Sequence, residues 1–153
     1  RRSSDLDSLG SEGTITPGEV QIMSAGSGIR HSEFNGSNTD SVNLLQIWVF
    51  PKERNIKPRY DQKQFDSNQA KNKFQILVSP DQEGGSLWIN QDAVFALGEF
   101  QSGTTHTYTI KHPGNGAYVF VVEGAINLDI TNLGRRDAAG VYRFTSTEAK
   151  SRP

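Results

Sequence analysis

Apolar residues along the chain come in short runs rich in Val, Ile and aromatic residues, and Gly, Pro, Asn and Asp separate these runs. This pattern is typical of β-strands joined by turns, and periodic stretches of helix length are absent. Strands are predicted over residues 41–50, 74–78, 86–89, 93–100, 105–110, 117–122, 125–130 and 141–145. Seven or eight short strands at this spacing predict an all-β sandwich or barrel.

Residues 41–50 stand out because apolar residues occupy both sets of alternating positions. The two sets are Val42, Leu44, Trp48 and Phe50, and then Leu45, Ile47 and Val49. Alternate residues of a strand point to opposite faces, so both faces would be apolar. The pattern predicts a central strand. Trp48 and Trp88 are predicted to be core or barrel-wall aromatics on the burial tendencies of large rings.

Residues 58–73 interrupt the succession of short apolar runs, because they are polar and mix Lys and Arg with Asp and Gln. They are predicted to form a linker or long surface loop between two β units. The predicted division is therefore residues 1–57 in a first unit and residues 74–153 in a second.

The amino-acid composition excludes several classes of function. The 153 residues include 16 basic and 17 acidic side chains, three His and no Cys, for a formal charge of -1. Such a balance disfavours nucleic-acid binding, and the lack of Cys excludes disulfides, thiolate catalysis and Cys-based zinc sites. No apolar run approaches the roughly 20 residues of a membrane span, and no signal segment opens the chain. A soluble, cytoplasmic protein is expected.

Both ends of the sequence look cut. The chain opens on Arg1 without an initiator Met and stops at Pro153 in a polar stretch. A fragment of a longer protein is therefore expected.

His31 and Glu33 are the candidate metal ligands. Residues two apart on a strand share a face, so an imidazole and a carboxylate would stand side by side. Gly26 and Gly28, just before them, would let the backbone bend and approach closely, as in a narrow barrel interior. Taken alone, a His-x-Glu pair is more often a surface pair than a metal site.

The context of this pair resembles the pirin family. Residues 17–26, Pro-Gly-Glu-Val-Gln-Ile-Met-Ser-Ala-Gly, followed by residues 28–33, Gly-Ile-Arg-His-Ser-Glu, resemble the second cupin motif of pirins and of bacterial pirin-like quercetin dioxygenases. The likeness continues through residues 45–51, 58–60, 77–81 and 86–92. It implies a bicupin of two stacked antiparallel β-barrels of the double-stranded β-helix type, incomplete at its ends. Residues 1–57 would belong to the amino-terminal barrel and residues 74–153 to the carboxy-terminal barrel.

The resemblance also implies a metal site. In pirins three His and one Glu bind a single metal, most often iron, and His31 and Glu33 match the last two ligands. The upstream His-x-His pair of the family is absent from this chain. Fe(II) is the expected cofactor, held loosely or missing from this chain. His106 and His112 fall in the expected second barrel, where the family has no metal site, and are predicted to be surface or loop residues.

Three functions follow from the resemblance and stay open. The first is a quercetin 2,3-dioxygenase-like oxidation of a small aromatic substrate, with Glu33 as catalytic base. The second is a redox-responsive coregulator without enzymatic activity, and the third is a metal-free cupin module that binds or supports another molecule. Unpaired edges of an incomplete barrel would also invite pairing with another chain.

Overall fold

The computed structural model describes the backbone of residues 3–7, 12–142 and 146–151, and the side chains of residues 13–142. Within these ranges the chain forms fourteen strands and two 3-10 turns. The strands are β1 (Ser3–Asp7), β2 (Glu12–Ile15), β3 (Glu19–Ser24), β4 (His31–Asn35), β5 (Arg59–Gln64), β6 (Phe74–Ser79), β7 (Leu87–Trp88), β8 (Phe95–Gly98), β9 (Thr105–Thr109), β10 (Ala117–Phe120), β11 (Ile126–Leu128), β12 (Thr131–Leu133), β13 (Ala138–Val141) and β14 (Ser146–Ser151), and the turns are Ser67–Ala70 and Glu83–Gly85.

The predicted all-β class is confirmed, and the bicupin arrangement stays a prediction. Strands β6 to β11 fall on the apolar runs that predicted them. Of the last predicted strand, 141–145, Val141 ends β13 and Tyr142 belongs to no strand, while residues 143–145 lie outside the described residues. No helix in the described part of the chain has the length and apolar character needed to cross a membrane.

The first compact unit comprises residues 1–67 and 76–96. It contains the sheet β2-β1-β4 and the pair β3-β5. Alternation along β3 sends Val20 and Ile22 towards a core whose buried residues are Phe65, Val78 and Leu87. Strand β6 pairs with β7 on one side and β8 on the other. The division between the two units falls within β6, after Gln75, and within β8, after Ala96.

The second compact unit comprises residues 68–75 and 97–153. It contains the sheet β12-β11-β14-β9 and the pair β10-β13. Val121, Leu128 and Leu133 are its buried core. The predicted division at residues 57 and 74 stays a prediction.

The prediction of a linker or loop over residues 58–73 is wrong for Arg59–Gln64. These residues form β5, which pairs antiparallel with β3 from Glu19↔Gln64 to Ser24↔Arg59. The strand lacks an apolar pattern, and its side chains form polar contacts: Tyr60 donates its hydroxyl to the Gln62 side chain, whose amide donates to the Thr14 carbonyl at 2.9 Å. Hydrogen bonds therefore replace the apolar contacts that sequence patterns detect.

The prediction of a central strand over residues 41–50 is also wrong for the described structure. These residues are assigned to no strand. Trp48 is 87% exposed and Phe50 92% exposed, so Trp48 is not a core residue. Trp88 is half-buried, with the Arg59 guanidinium 4.9 Å from its ring centroid. Apolar residues on both faces of a segment indicate that it packs against other parts of a protein. Within the described ranges, no strand buries Trp48 or Phe50.

Candidate metal site

A tight turn before β4 sets the course of the strand that carries His31. The Gly28 N–H donates to the Ala25 carbonyl at 2.8 Å, and Gly26 adopts a positive φ of 56°. A Cβ at Gly26 would collide with the carbonyl oxygen of Ile56. Only glycine combines this φ with so close an approach, so the predicted bend and backbone contact are both present at Gly26. At Gly28 no close backbone contact is found, because a Cβ there would meet no described atom within 4 Å.

His31 and Glu33 share one face of β4 because they are two residues apart. Both side chains are exposed. Strand β4 runs antiparallel to β1, and the register sets His31 opposite Asp7 and Glu33 opposite Asp5. The side-by-side placement of imidazole and carboxylate on one strand is therefore found, and their role as metal ligands stays a prediction.

Glu33 is hydrogen-bonded to a side chain that sequence reasoning did not single out. The Gln46 Nε2 donates to Glu33 Oε2 at 3.0 Å, and the Trp48 Nε1 donates to Gln46 Oε1 at 3.2 Å. The one available signal was the two-residue spacing of Gln46 and Trp48 in a run predicted to be extended. We call these three side chains the Trp48–Gln46–Glu33 relay.

The loop after β4 returns the chain to Glu33. Asn35 Oδ1 accepts the Ser37 N–H at 3.0 Å, and Asn35 Nδ2 donates to the Asp40 carbonyl at 2.7 Å. The Ser37 hydroxyl also accepts the Asp40 N–H at 3.0 Å. Such side-chain contacts to nearby backbone close a compact turn, and they fix one end of the segment that carries Gln46.

The other end of that segment is held by residues 90–92 of the same unit. The Lys52 N–H donates to the Asn90 carbonyl at 2.7 Å, and the Gln91 amide donates to the Phe50 carbonyl at 2.8 Å. Lys52 also forms an ion pair with Asp92 at 2.8 Å. Residues 41–50 are thus anchored at both ends although they belong to no strand.

Glu19, at the start of β3, carries the shifted pKa in the region of the cupin motif. The Thr16 N–H and hydroxyl donate to Glu19 Oε2 at 2.5 and 2.8 Å across a turn built on Pro17 and Gly18. These bonds, the backbone bond first, lower the pKa of the Glu19 carboxyl below its usual value of 4.5. The charge of Glu19 thus stabilises the turn that begins β3.

The two remaining histidines have other contacts, in the second unit. His106 stacks on Phe100 with ring centroids 4.1 Å apart, and its Nε2 lies 2.9 Å from the Thr104 hydroxyl. The carbonyl of His112 accepts the Asn115 N–H at 3.1 Å in a tight turn. Both side chains are half-buried. His112 lies in a loop, as predicted, whereas His106 lies on β9.

A metal site in a protein needs several donor groups of the right chemistry around one point. The described residues contain no group of three or more His, Cys, Asp or Glu able to hold a metal. His31 and Glu33 nevertheless supply an imidazole nitrogen and a carboxylate oxygen, which suit first-row metals such as iron and nickel. Ligating carboxylates are in turn hydrogen-bonded, as Glu33 is by Gln46. The pair fits two positions of a mononuclear site.

Comparison with known proteins assigns the chain to a family. Residues 4–49 match the family described as Pirin, and residues 76–152 match the one described as Quercetinase C-terminal cupin domain. Together with the strand-rich fold, these matches define a cupin. The chain belongs to the pirin family, so the resemblance noted in the sequence is confirmed.

Individual relatives extend this assignment. The chain is 51% identical over 86 residues to quercetin 2,3-dioxygenase of Escherichia coli K12, a match to 56% of this chain and 36% of that protein. It is 34% identical to a pirin-like protein of Caulobacter vibrioides over 88% of this chain and 58% of the relative. The crystal structure of the bacterial pirin YhhW from Escherichia coli in complex with nickel(II) superposes with a TM-score of 0.88 at 31% identity, covering 98% of this chain and 63% of that one. The chain thus spans less than two thirds of the length of these relatives.

Proposed function

We propose that the chain carries half of a mononuclear metal site for quercetin 2,3-dioxygenase-type oxidation of a flavonol or related small aromatic. The observation that carries this proposal is the shared face of His31 and Glu33, with Glu33 oriented by Gln46. The nickel(II) complex of YhhW and the name of the Escherichia coli relative support the class of site. Fe(II) is the proposed cofactor, and a cytoplasmic location stays a prediction.

Each residue has a defined role in this proposal. His31 binds the metal as a neutral imidazole, and Glu33 binds it through a carboxylate oxygen. When bound, the metal would act as a Lewis acid and would bring the substrate hydroxyl and dioxygen together. Glu33 accepts the proton of that hydroxyl as general base, which makes the ring more electron-rich and open to oxidation by dioxygen.

Metal analysis joined to oxygen uptake tests the proposal. The chain is loaded anaerobically with Fe(II), metal content is measured, and oxygen consumption is followed with a panel of flavonols. Flavonol-dependent uptake that is lost in His31→Ala and Glu33→Ala supports the proposal. Metal binding that survives both substitutions contradicts it. Metal binding that depends on both residues without any oxygen uptake favours the coregulator.

A metal-free binding module is the second candidate. It is favoured by the lack of any group of three potential ligands among the described side chains. Two ligands from one strand leave most of the coordination sphere to water, which makes a weak site. Failure of the chain to take up Fe(II), nickel(II) or zinc above background would select this candidate.

A further inference from the structure

We propose that Gln46 is a positioning residue that orients the Glu33 carboxylate for metal binding, with its own amide oriented by the Trp48 indole. This inference rests on the proposed metal site and names residues in it beyond His31 and Glu33. It follows from two hydrogen bonds in series, from Trp48 Nε1 to Gln46 Oε1 and from Gln46 Nε2 to Glu33 Oε2.

The chemistry of the three groups allows one direction for the relay. An indole N–H can only donate, and an ionised carboxylate can only accept. The Gln46 amide therefore meets Trp48 with its oxygen and Glu33 with its nitrogen. Reversing the amide would put a donor against a donor and an acceptor against an acceptor. Trp48 thus selects the amide orientation that serves Glu33.

Glu33 accepts the hydrogen bond from Gln46 through Oε2, and Oε1 takes no part in that bond. A carboxylate tethered through Oε2 has less rotational freedom, which lowers the entropy lost when Oε1 binds an ion. The relay side chains are exposed, so each bond alone is weak. Their effect depends on the anchoring of residues 41–50 at Asn35 and at Gln91, which holds Gln46 near Glu33 before any ligand arrives.

The test compares nickel(II) affinity by calorimetry in variants of the full 153-residue chain. Gln46→Met keeps the side-chain length and removes both hydrogen bonds, and Trp48→Phe removes only the indole donor. Gln69→Met is the matched control, because it makes the same replacement at an exposed glutamine whose side chain bonds Lys73 and not Glu33. Loss of an outer hydrogen-bond partner of a ligand weakens metal affinity by about 10- to 100-fold, which is expected for Gln46→Met. A smaller loss is expected for Trp48→Phe, and none for Gln69→Met.

A second readout follows the relay itself. Trp88→Phe leaves Trp48 as the single indole of the chain. Zinc, which does not quench through unpaired electrons, should shift the emission of Trp48, and Gln46→Met should abolish that shift. A purely structural role of Gln46 would change the unfolding midpoint instead and leave this response intact.

The outcomes separate this inference from the proposed function. Weaker nickel(II) binding in His31→Ala, Glu33→Ala and Gln46→Met, with an unchanged unfolding midpoint in the last, supports both. Weaker binding in His31→Ala and Glu33→Ala beside unchanged binding in Gln46→Met overturns the relay and leaves the metal site standing. Unchanged binding in all variants overturns the metal site and, with it, the role given to Gln46.

Discussion

The amide of Gln46 donates to the carboxylate of Glu33 at 3.0 Å across thirteen positions of the chain. The bond joins the second half of the cupin motif to a segment that belongs to no strand. The candidate ligand therefore depends on a loop anchored at both ends as well as on its own strand.

Metal binding should stabilise the chain through His31. An ion that binds only the folded state raises the free energy of unfolding by about 2.7 kcal/mol when its concentration is 100 times the dissociation constant. Thermal unfolding with increasing nickel(II) should therefore move to higher temperature, and a chelator should reverse the shift. His31→Ala should show no such shift, whereas His112→Ala, which removes a histidine of the second unit, should keep it. An equal shift in His31→Ala would contradict the ligand assignment.

Residues 41–50, which expose large apolar side chains, should contribute little to the stability of this chain. Phe50 is 92% exposed, so Phe50→Ser should change the free energy of unfolding by less than about 0.5 kcal/mol. Leu87 is 3% exposed, and Leu87→Ala should cost about 2 to 5 kcal/mol because it leaves a cavity in the first core. Urea denaturation measures both. A loss above 2 kcal/mol in Phe50→Ser would show that another surface covers the segment in solution.

The strand rhythm could be predicted from sequence because alternation and turn chemistry are local properties. The run Thr16-Pro17-Gly18 is typical of a turn, and the Glu19 N–H closes that turn on the Thr16 carbonyl at 3.0 Å. The pairing of His31 with Glu33 was equally local, since a two-residue spacing decides the face.

The rest could not be predicted because it depends on contacts between distant segments. Strand β5 is polar and satisfies its side chains through Gln62 and Thr14, which no apolar pattern reports. The run over residues 41–50 shows a need for cover without showing which segment provides it. Gln46 acquires its role only when the loop closed by Asn35 brings it back to Glu33.

The loss of stability of the folded chain at acid pH should depend on Glu19. Hydrogen bonds from Thr16 lower its pKa in the folded state below the usual 4.5. The folded state therefore binds this proton less readily than the unfolded state, so the contribution is complete above pH 4.5 and lost as the pH falls through the folded pKa. Glu19→Gln should flatten the decline of the unfolding midpoint below pH 4.5. Asp66→Asn, a change at another acidic residue of the first unit, is the comparison, and an identical loss of stability at acid pH in wild type and Glu19→Gln would refute the prediction.

Gly26 should be the glycine whose replacement most disturbs the candidate site. Its φ of 56° alone would cost a side chain about 1 to 2 kcal/mol, and a Cβ would also strike the Ile56 carbonyl. Gly84 has a similar φ of 61° and open space around it, so Gly84→Ala isolates the backbone term. Gly26→Ala should therefore cost about 1 to 3 kcal/mol more than Gly84→Ala in urea denaturation. Because the turn at Gly26 leads into β4, Gly26→Ala should also weaken nickel(II) binding while Gly84→Ala does not. Equal losses of stability in the two variants would mean that the backbone at Ile56 yields to the added methyl group.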